Sequence, residues 1–379
     1  MKIVLFCHSL LSDWNHGNAH FLRGLVSELG SRGHSVTSYE DEQAWSVSNL
    51  VGEFGEHALE DVNRHYPLLD VVRYSSETLD LEAAVHGADL VLVHEWNPPE
   101  LIEGLGRLRR RSSSFRLLFH DTHHRTVSEP DRLARLDGYD GVLAFGESLR
   151  QRYLAAGWAK TVFTFHEAAD TTVFRPRPNA GRIGDLVWVG NYGDGERTRE
   201  LSEYLFEPAR ALGLRGSIYG VRYPAEGLSK LEQAGLHYCG WLPNYRVPLV
   251  FSKHRLTVHV PRRPYAEALT GIPTIRVFEA LASGIALVSA PWRDEERLFE
   301  PGAYRSVESG EAMRAALREL LHEPAAAAEM TAKGLRCILD RHTCSHRAHQ
   351  LIGIAEEIGV SNVYGARELV SAHEQLEQP

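Results

Sequence analysis

The chain has 379 residues, 43% of them apolar and 24% charged, which is an ordinary globular composition and enough length for two domains. A net charge of −9 and a pI near 6.1 exclude the broad basic surface on which nucleic acid is held. The four scattered cysteines, Cys7, Cys239, Cys337 and Cys344, exclude a disulfide scaffold and fit a reducing compartment.

In chain order, MKIVLFC reads as a first strand rather than a signal peptide. No apolar run approaches the roughly 20 residues of a membrane span, so the expectation is a cytoplasmic protein with at most peripheral membrane contact. Phe21, Leu22, Leu25, Val26 and Leu29 then mark one face of a helix that ends at Gly33. Strands follow at HSVTSYE, ADLVLVHE, FRLLFHD, GVLAFGE and KTVFTFH, with helices over 99–110 and 147–156 between them. Strands separated by helices imply βαβ units and a parallel sheet. Arg175–Gly181, with two prolines, reads as a linker. After it the pattern restarts: DLVWVG, a helix over 196–213, RGSIYG, RLTVHVP, a helix in PTIRVFEALASG, and IALVSAP. Two serial α/β units imply two lobes with a ligand cleft between them, because parallel sheets bind ligands beyond the carboxyl ends of their strands. Residues 345–379 are polar and helix-prone, with an end expected to fray.

Five segments carry candidate chemistry. The first βα loop contains Gly17, whose backbone could approach a phosphate at a helix N-terminus; a plain turn capped by Asn15 or Asn18 is the alternative. A GxGxxG fingerprint is missing there, which argues against a dinucleotide enzyme. FHDTHHR places His120 and Asp121 just past a strand, where a histidine can transfer protons or bind phosphate and an aspartate can orient it. The spacing lacks a zinc pattern, so no metal is expected. HEAAD carries Glu167 and Asp170 near the boundary between the lobes. In VGNYGDGERTRE, a Gly-rich loop with Asn191 precedes Arg197 and Arg199 in the first turn of a helix; their placement opposes the helix dipole and suggests a nearby anion. In GIPTIRVFEALASG, Arg276 and Glu279 lie near a helix start, and a carboxylate in so apolar a helix needs partners such as sugar hydroxyls.

SRGHSV, AFGESLRQRYLAAGW…TFHEAADTTVFRP, WVGNY, YCGWLPN and RVFEALASGIALVSAP, in this order along the chain, resemble segments of the GT-B glycosyltransferases of the retaining type, group 1 (GT4-like). The subgroup most resembled is that of the spore-maturation protein CgeB, through the R-x-F-E pattern and the "GN" after the first strand of the second domain. The resemblance implies a GT-B α/β fold with two Rossmann-like domains facing across a cleft. It implies an acceptor-side domain over 1–175, a nucleotide-sugar domain over 182–340, and a helical segment over 341–379 packing back on the first domain. It implies donor binding by Gly17, Asn191, Arg197, Arg276 and Glu279, with Glu279 on the ribose, and His120 with Asp121 at the reacting sugar. The implied reaction moves a sugar from a nucleoside-diphosphate sugar, a co-substrate rather than a cofactor, to an unidentified acceptor: a glycan, a lipid-linked or a small molecule. No essential metal and no nucleic-acid partner are expected. The family often carries a second glutamate eight residues before Glu279; here that position is Gly271, with Glu267 four residues further back. Two alternatives stand beside transfer: a nucleotide-sugar-binding protein without turnover, and an epimerase or phosphorylase on the same fold.

Overall fold

The computed structural model describes residues 1–130, 135–177 and 181–361. The chain divides into two compact units, one formed by Met1–His166 with the chain from Cys344 onward, the other by Glu167–Thr343. Pro178–Ala180 of the expected linker, and the end expected to fray from residue 362, lie outside the described residues.

In the first unit, the described strands are β1 (Lys2–Phe6), β2 (Ser35–Asp41), β3 (Asp70–Tyr74), β4 (Leu90–His94), β5 (Arg116–Asp121), β6 (Gly141–Ala144) and β7 (Val162–Thr164). They pair in the order β3-β2-β1-β4-β5-β6-β7, all parallel. Helices cover both faces of such a sheet, so its central strands are continuous apolar runs: every residue of β4, LVLVH, is buried. The chain runs from β1 outward to β3 and then crosses back to β4. The crevice at the carboxyl ends of β1 and β4 is therefore the switch point at which open parallel sheets take ligands.

The helix Cys344–Glu357 belongs to this unit and packs against the helix Ala19–Ser31. Ala348, Leu351 and Ala355 are fully buried in it, and Arg32 donates to the Ser345 hydroxyl at 2.8 Å. Leu351→Ala is expected to destabilise the unit by about 2–5 kcal/mol, read as a fall in the urea midpoint. An unchanged midpoint would mean that this helix is dispensable.

The second unit carries β8 (Leu186–Val189), β9 (Gly216–Tyr219), β10 (Leu236–Gly240), β11 (Leu256–His259), β12 (Ala286–Ser289) and β13 (Arg305–Ser306), in the order β10-β9-β8-β11-β12-β13. Leu186, Trp188, Ile218, Leu256, Val288 and Leu317 form part of its core. The helix Ile275–Ser283 lies beside β12 and β11, with every residue but Arg276 buried. It ends at Gly284, whose φ of +68° is left-handed and favours glycine. Both sheets are parallel α/β layers of the Rossmann type. Among the described residues no helix is long and apolar enough to cross a membrane.

Candidate functional site

The second unit gathers positive charge where β8 and β11 end side by side. The Gly-rich loop after β8 bends through left-handed Gly193, Asp194 and Gly195 and delivers Arg197 to the N-cap of the short helix Thr198–Leu201. The Arg197 guanidinium lies over the Trp188 ring, 5.1 Å from its centroid. It donates to the Val260 carbonyl at 3.0 Å, the Asn191 carbonyl at 2.8 Å and the Asn191 side-chain oxygen at 2.6 Å. These acceptors are all neutral, and its buried Nε has no partner among the described residues. Burial, and then the guanidinium of Arg262, push its pKa down to about 9, with Arg276 adding to the repulsion. It stays charged at neutral pH, without a carboxylate bonded to it.

Arg262, directly after β11, bonds Glu196 at 2.5 Å and the Asn191 side-chain oxygen at 3.2 Å, with Asp194 at 3.5 Å. His259, at the end of β11, lies between the Ser289 hydroxyl at 2.9 Å and the Thr274 hydroxyl at 3.0 Å. Burial and the field of Arg197 and Arg276 hold it near a pKa of 3. The sequence reading singled out Arg197, Arg276 and Asn191 but passed over Arg262 and His259. The signal for Arg262 is the paired arginine in VPRRP immediately after an apolar strand.

Glu279 sits on the second turn of the helix Ile275–Ser283, fully buried, and pairs with the Arg276 guanidinium. Glu167 lies close by, accepts from the Ile275 amide at the start of that helix, and leaves its buried Oε1 without a partner among the described residues. Burial, and then the Glu279 carboxylate, push the Glu167 pKa up to about 8. The folded state thus favours the neutral acid, whereas the unfolded chain ionises near 4.5. This contribution to stability is complete below pH 4.5 and is lost as pH rises from 4.5 to 8, at about 1.4 kcal/mol per unit. Glu167→Gln is therefore expected to be more stable than the parent at pH 8 and to lose that gain toward pH 5, measured by denaturant midpoints. Equal midpoints at both pH values would refute it.

Gly271 explains the missing second glutamate. Its φ is +85°, and a Cβ there would meet Glu296 and Glu295 at 3.3 and 3.4 Å. A side chain at this position is strained whatever its chemistry. Glu267 ends the preceding short helix, Arg263–Glu267, and lines a cavity of about 480 Å³ together with Arg199, Glu200, Arg263, Thr270 and Trp292.

The first unit places His120 and Asp121 at the carboxyl end of β5, both buried. His120 stands edge-on to Phe165, Phe21 and His94, and burial holds its pKa near 3. A neutral imidazole can both donate and accept a hydrogen bond. Asp121 accepts from the Thr126 and Tyr153 hydroxyls, the latter at 2.7 Å, and from the His123 amide at 3.2 Å. Its carboxylate is thereby occupied in tying β5 to the helix Glu147–Ala155. Asp170 likewise accepts from the Thr172 amide and hydroxyl, at 3.0 and 2.6 Å.

Gly17 lies in the turn before the helix Ala19–Ser31, and its carbonyl accepts from the His20 amide at 3.3 Å. The turn just after β1 is already filled by a carboxylate: Glu40 accepts from the Leu10 amide and, at 2.9 Å, from the Ser9 hydroxyl. The nearby Arg23 is paired with Asp13 at 2.8 Å.

Two parallel-sheet, Rossmann-like units give this chain the GT-B fold. Residues 197–353 match the family model described as "Glycosyl transferase-like". No curated protein matches the sequence. Among solved structures, sucrose-phosphate synthase from Thermosynechococcus elongatus is similar at 15% identity and a TM-score of 0.66, covering 94% of this chain and 99% of its own. Anabaena HepE, solved with UDP and glucose, is similar at 12% identity and a TM-score of 0.66, with the same coverage. An α-glucosyltransferase solved with UDP and DNA is similar at 12% identity and a TM-score of 0.69, again over 94% of this chain and 99% of its own.

Proposed function

We propose that the protein transfers a glycosyl group from a nucleoside-diphosphate sugar to an acceptor, with the second unit holding the donor. The observation that carries this reading is Arg197, a half-buried guanidinium with neutral acceptors only, repelled by Arg262 and Arg276. Such a gathering of positive charge costs free energy in the empty protein and is relieved by a dianion. The match of residues 197–353 to a glycosyl transferase-like family, and relatives solved with UDP, agree with a diphosphate there.

In the proposed reaction the bond from the anomeric carbon to the diphosphate breaks through an oxocarbenium-like transition state, and negative charge builds on the leaving oxygen. Donors fixed in advance at that oxygen stabilise the transition state more than the ground state. Arg197, Arg262 and Arg276 supply that charge from the protein itself, which supports transfer without an essential metal. Asn191 holds the Arg197 fork in place. Glu279 takes the ribose hydroxyls, and Glu267, on the wall of the adjoining cavity, takes the donor sugar in place of the carboxylate that position 271 cannot carry. His120 serves as a neutral hydrogen-bonding group on the acceptor side, with Asp121 positioning the segment that bears it.

The test is incubation with UDP-, GDP-, TDP- and ADP-glucose, with released nucleoside diphosphate measured by chromatography. Slow hydrolysis of at least one donor is expected. Absence of release from all four, together with no binding, would overturn the reading.

A further inference from the structure

The first unit holds a cluster of aromatic and imidazole rings that the donor chemistry does not use. It stands at the switch point, on the loops after β1 and β4, on the helix Trp45–Phe54, and on β5 and the segment after it. His8 stacks on Trp45 at 4.5 Å and meets His16 edge-on at 5.1 Å. His16 is 6.5 Å from His94, and His94 is 5.4 Å from His120. Trp96 stands 6.1 Å from Trp45 and 4.9 Å from His123, with the Arg125 guanidinium over its ring, 4.6 Å from the centroid. Trp45 and Trp96 are half-buried, while the four histidines His8, His16, His94 and His120 are buried.

Five buried ring nitrogens in this cluster have no hydrogen-bond partner among the described residues: Nε2 of His8, His16 and His120, Nδ1 of His94, and Nε1 of Trp14. Each such atom loses its bonds to water without replacement, and buried polar atoms are otherwise nearly always satisfied. Five together, in one connected group, mark a place where a polar molecule completes the bonds. Burial holds the imidazoles of His8 and His120 neutral, near pKa 4 and 3, and those of His16 and His94 well below their usual range.

We infer that this cluster is the binding site for an uncharged, hydroxyl-rich ring, a neutral carbohydrate, stacked on Trp45 and Trp96 and hydrogen-bonded by the histidines beneath them. Neutral imidazoles can each donate or accept, which matches hydroxyl groups, which do both. An apolar acceptor would leave all five nitrogens unsatisfied. The Glu95 carboxyl, 3.1 Å from the Thr122 hydroxyl and from His94, and the buried Asp121 carboxyl are both pushed up in pKa, first by burial, so they add hydrogen-bonding groups to the cluster. The pyranose face suits an indole ring, whose amphipathic surface contributes large contact area at low entropic cost.

The inference rests on the transferase reading, naming its acceptor class, but it is tested separately. The full chain is labelled with 5-fluorotryptophan, and its resonances are assigned through single Trp→Phe variants. Fluorine spectra are recorded with glucose, galactose, N-acetylglucosamine and maltose as neutral probes and with glucuronate as the charged control, each with and without UDP. At least one neutral sugar is expected to shift Trp45 and Trp96 saturably and to leave Trp188 unmoved. UDP is expected to shift Trp188, which lies under Arg197. His16→Phe is expected to weaken the sugar response at least tenfold and to leave the UDP response intact. No neutral sugar moving Trp45 or Trp96 in either condition, or glucuronate binding more tightly than all four, would overturn the carbohydrate site. A silent Trp188 would instead count against the donor reading. If His16→Phe fails to fold, the parent's spectra alone decide.

Discussion

Arg197→Met lowers affinity for the nucleoside diphosphate roughly ten- to hundredfold and leaves thermal stability nearly unchanged. The first part follows from charge-assisted hydrogen bonds to phosphate, each worth about 1.5–3 kcal/mol, with about 1.4 kcal/mol per factor of ten. The second follows from the surroundings of the side chain. Methionine keeps an apolar stem against Trp188 and removes a half-buried charge that Arg262 and Arg276 repel. That relief offsets the bonds lost to the Asn191 and Val260 oxygens. Isothermal titration and thermal melts read the two quantities. Unchanged affinity with a clearly lowered melting temperature would make Arg197 a strut between the two loops rather than an anion site.

Glu279→Gln is expected to cost about 1.5–3 kcal/mol of nucleotide affinity and to erase the preference for ribose over deoxyribose. The carboxylate is fully buried and paired with Arg276, three residues earlier on the same helix. If that pair were its whole role, glutamine would release the guanidinium toward a phosphate, and affinity would hold or rise while stability fell. Titrating UDP against 2′-deoxy-UDP on both proteins closes a double cycle that isolates the ribose term. An equal preference in parent and variant would remove Glu279 from the ribose. The substitution also removes the charge that raises the Glu167 pKa after burial, so the pH-dependence of stability should flatten with it.

Much of the architecture was legible because parallel sheets write themselves as apolar runs. KIVLF, LVLVH and ALVS are buried along their lengths or nearly so. The strand β3, DVVRY, was not read, because it lies at the sheet edge with one residue buried and a polar composition. The expected helix over 196–213 forms as Thr198–Leu201, a π-helical turn at Ser202–Phe206 and Glu207–Leu212. Pro208 lacks the N–H that an unbroken helix would need there. The candidate site divides in the same way. Arg197, Arg276 and Glu279 stand out locally, as charges at helix starts or among apolar neighbours. Arg262 does not, because its partner Glu196 lies 66 residues away and meets it only through the adjacency of β8 and β11. His8 and His16 stand in the loop after β1 and His94 at the end of β4, far apart in sequence from His120. Only the β1-β4-β5 order brings their rings together.

The most direct measurement of the central claim is isothermal titration of the unmodified protein with UDP, GDP, ADP and TDP, each against its nucleoside monophosphate. Hydrogen exchange is then followed on the complex of whichever diphosphate binds. The expected result is one diphosphate bound per chain, at least tenfold tighter than its monophosphate. Protection should concentrate in 190–199 and 259–279, where Arg197, Arg262, Arg276 and Glu279 stand. Failure of all four to bind, or protection falling outside those two segments, would contradict the account.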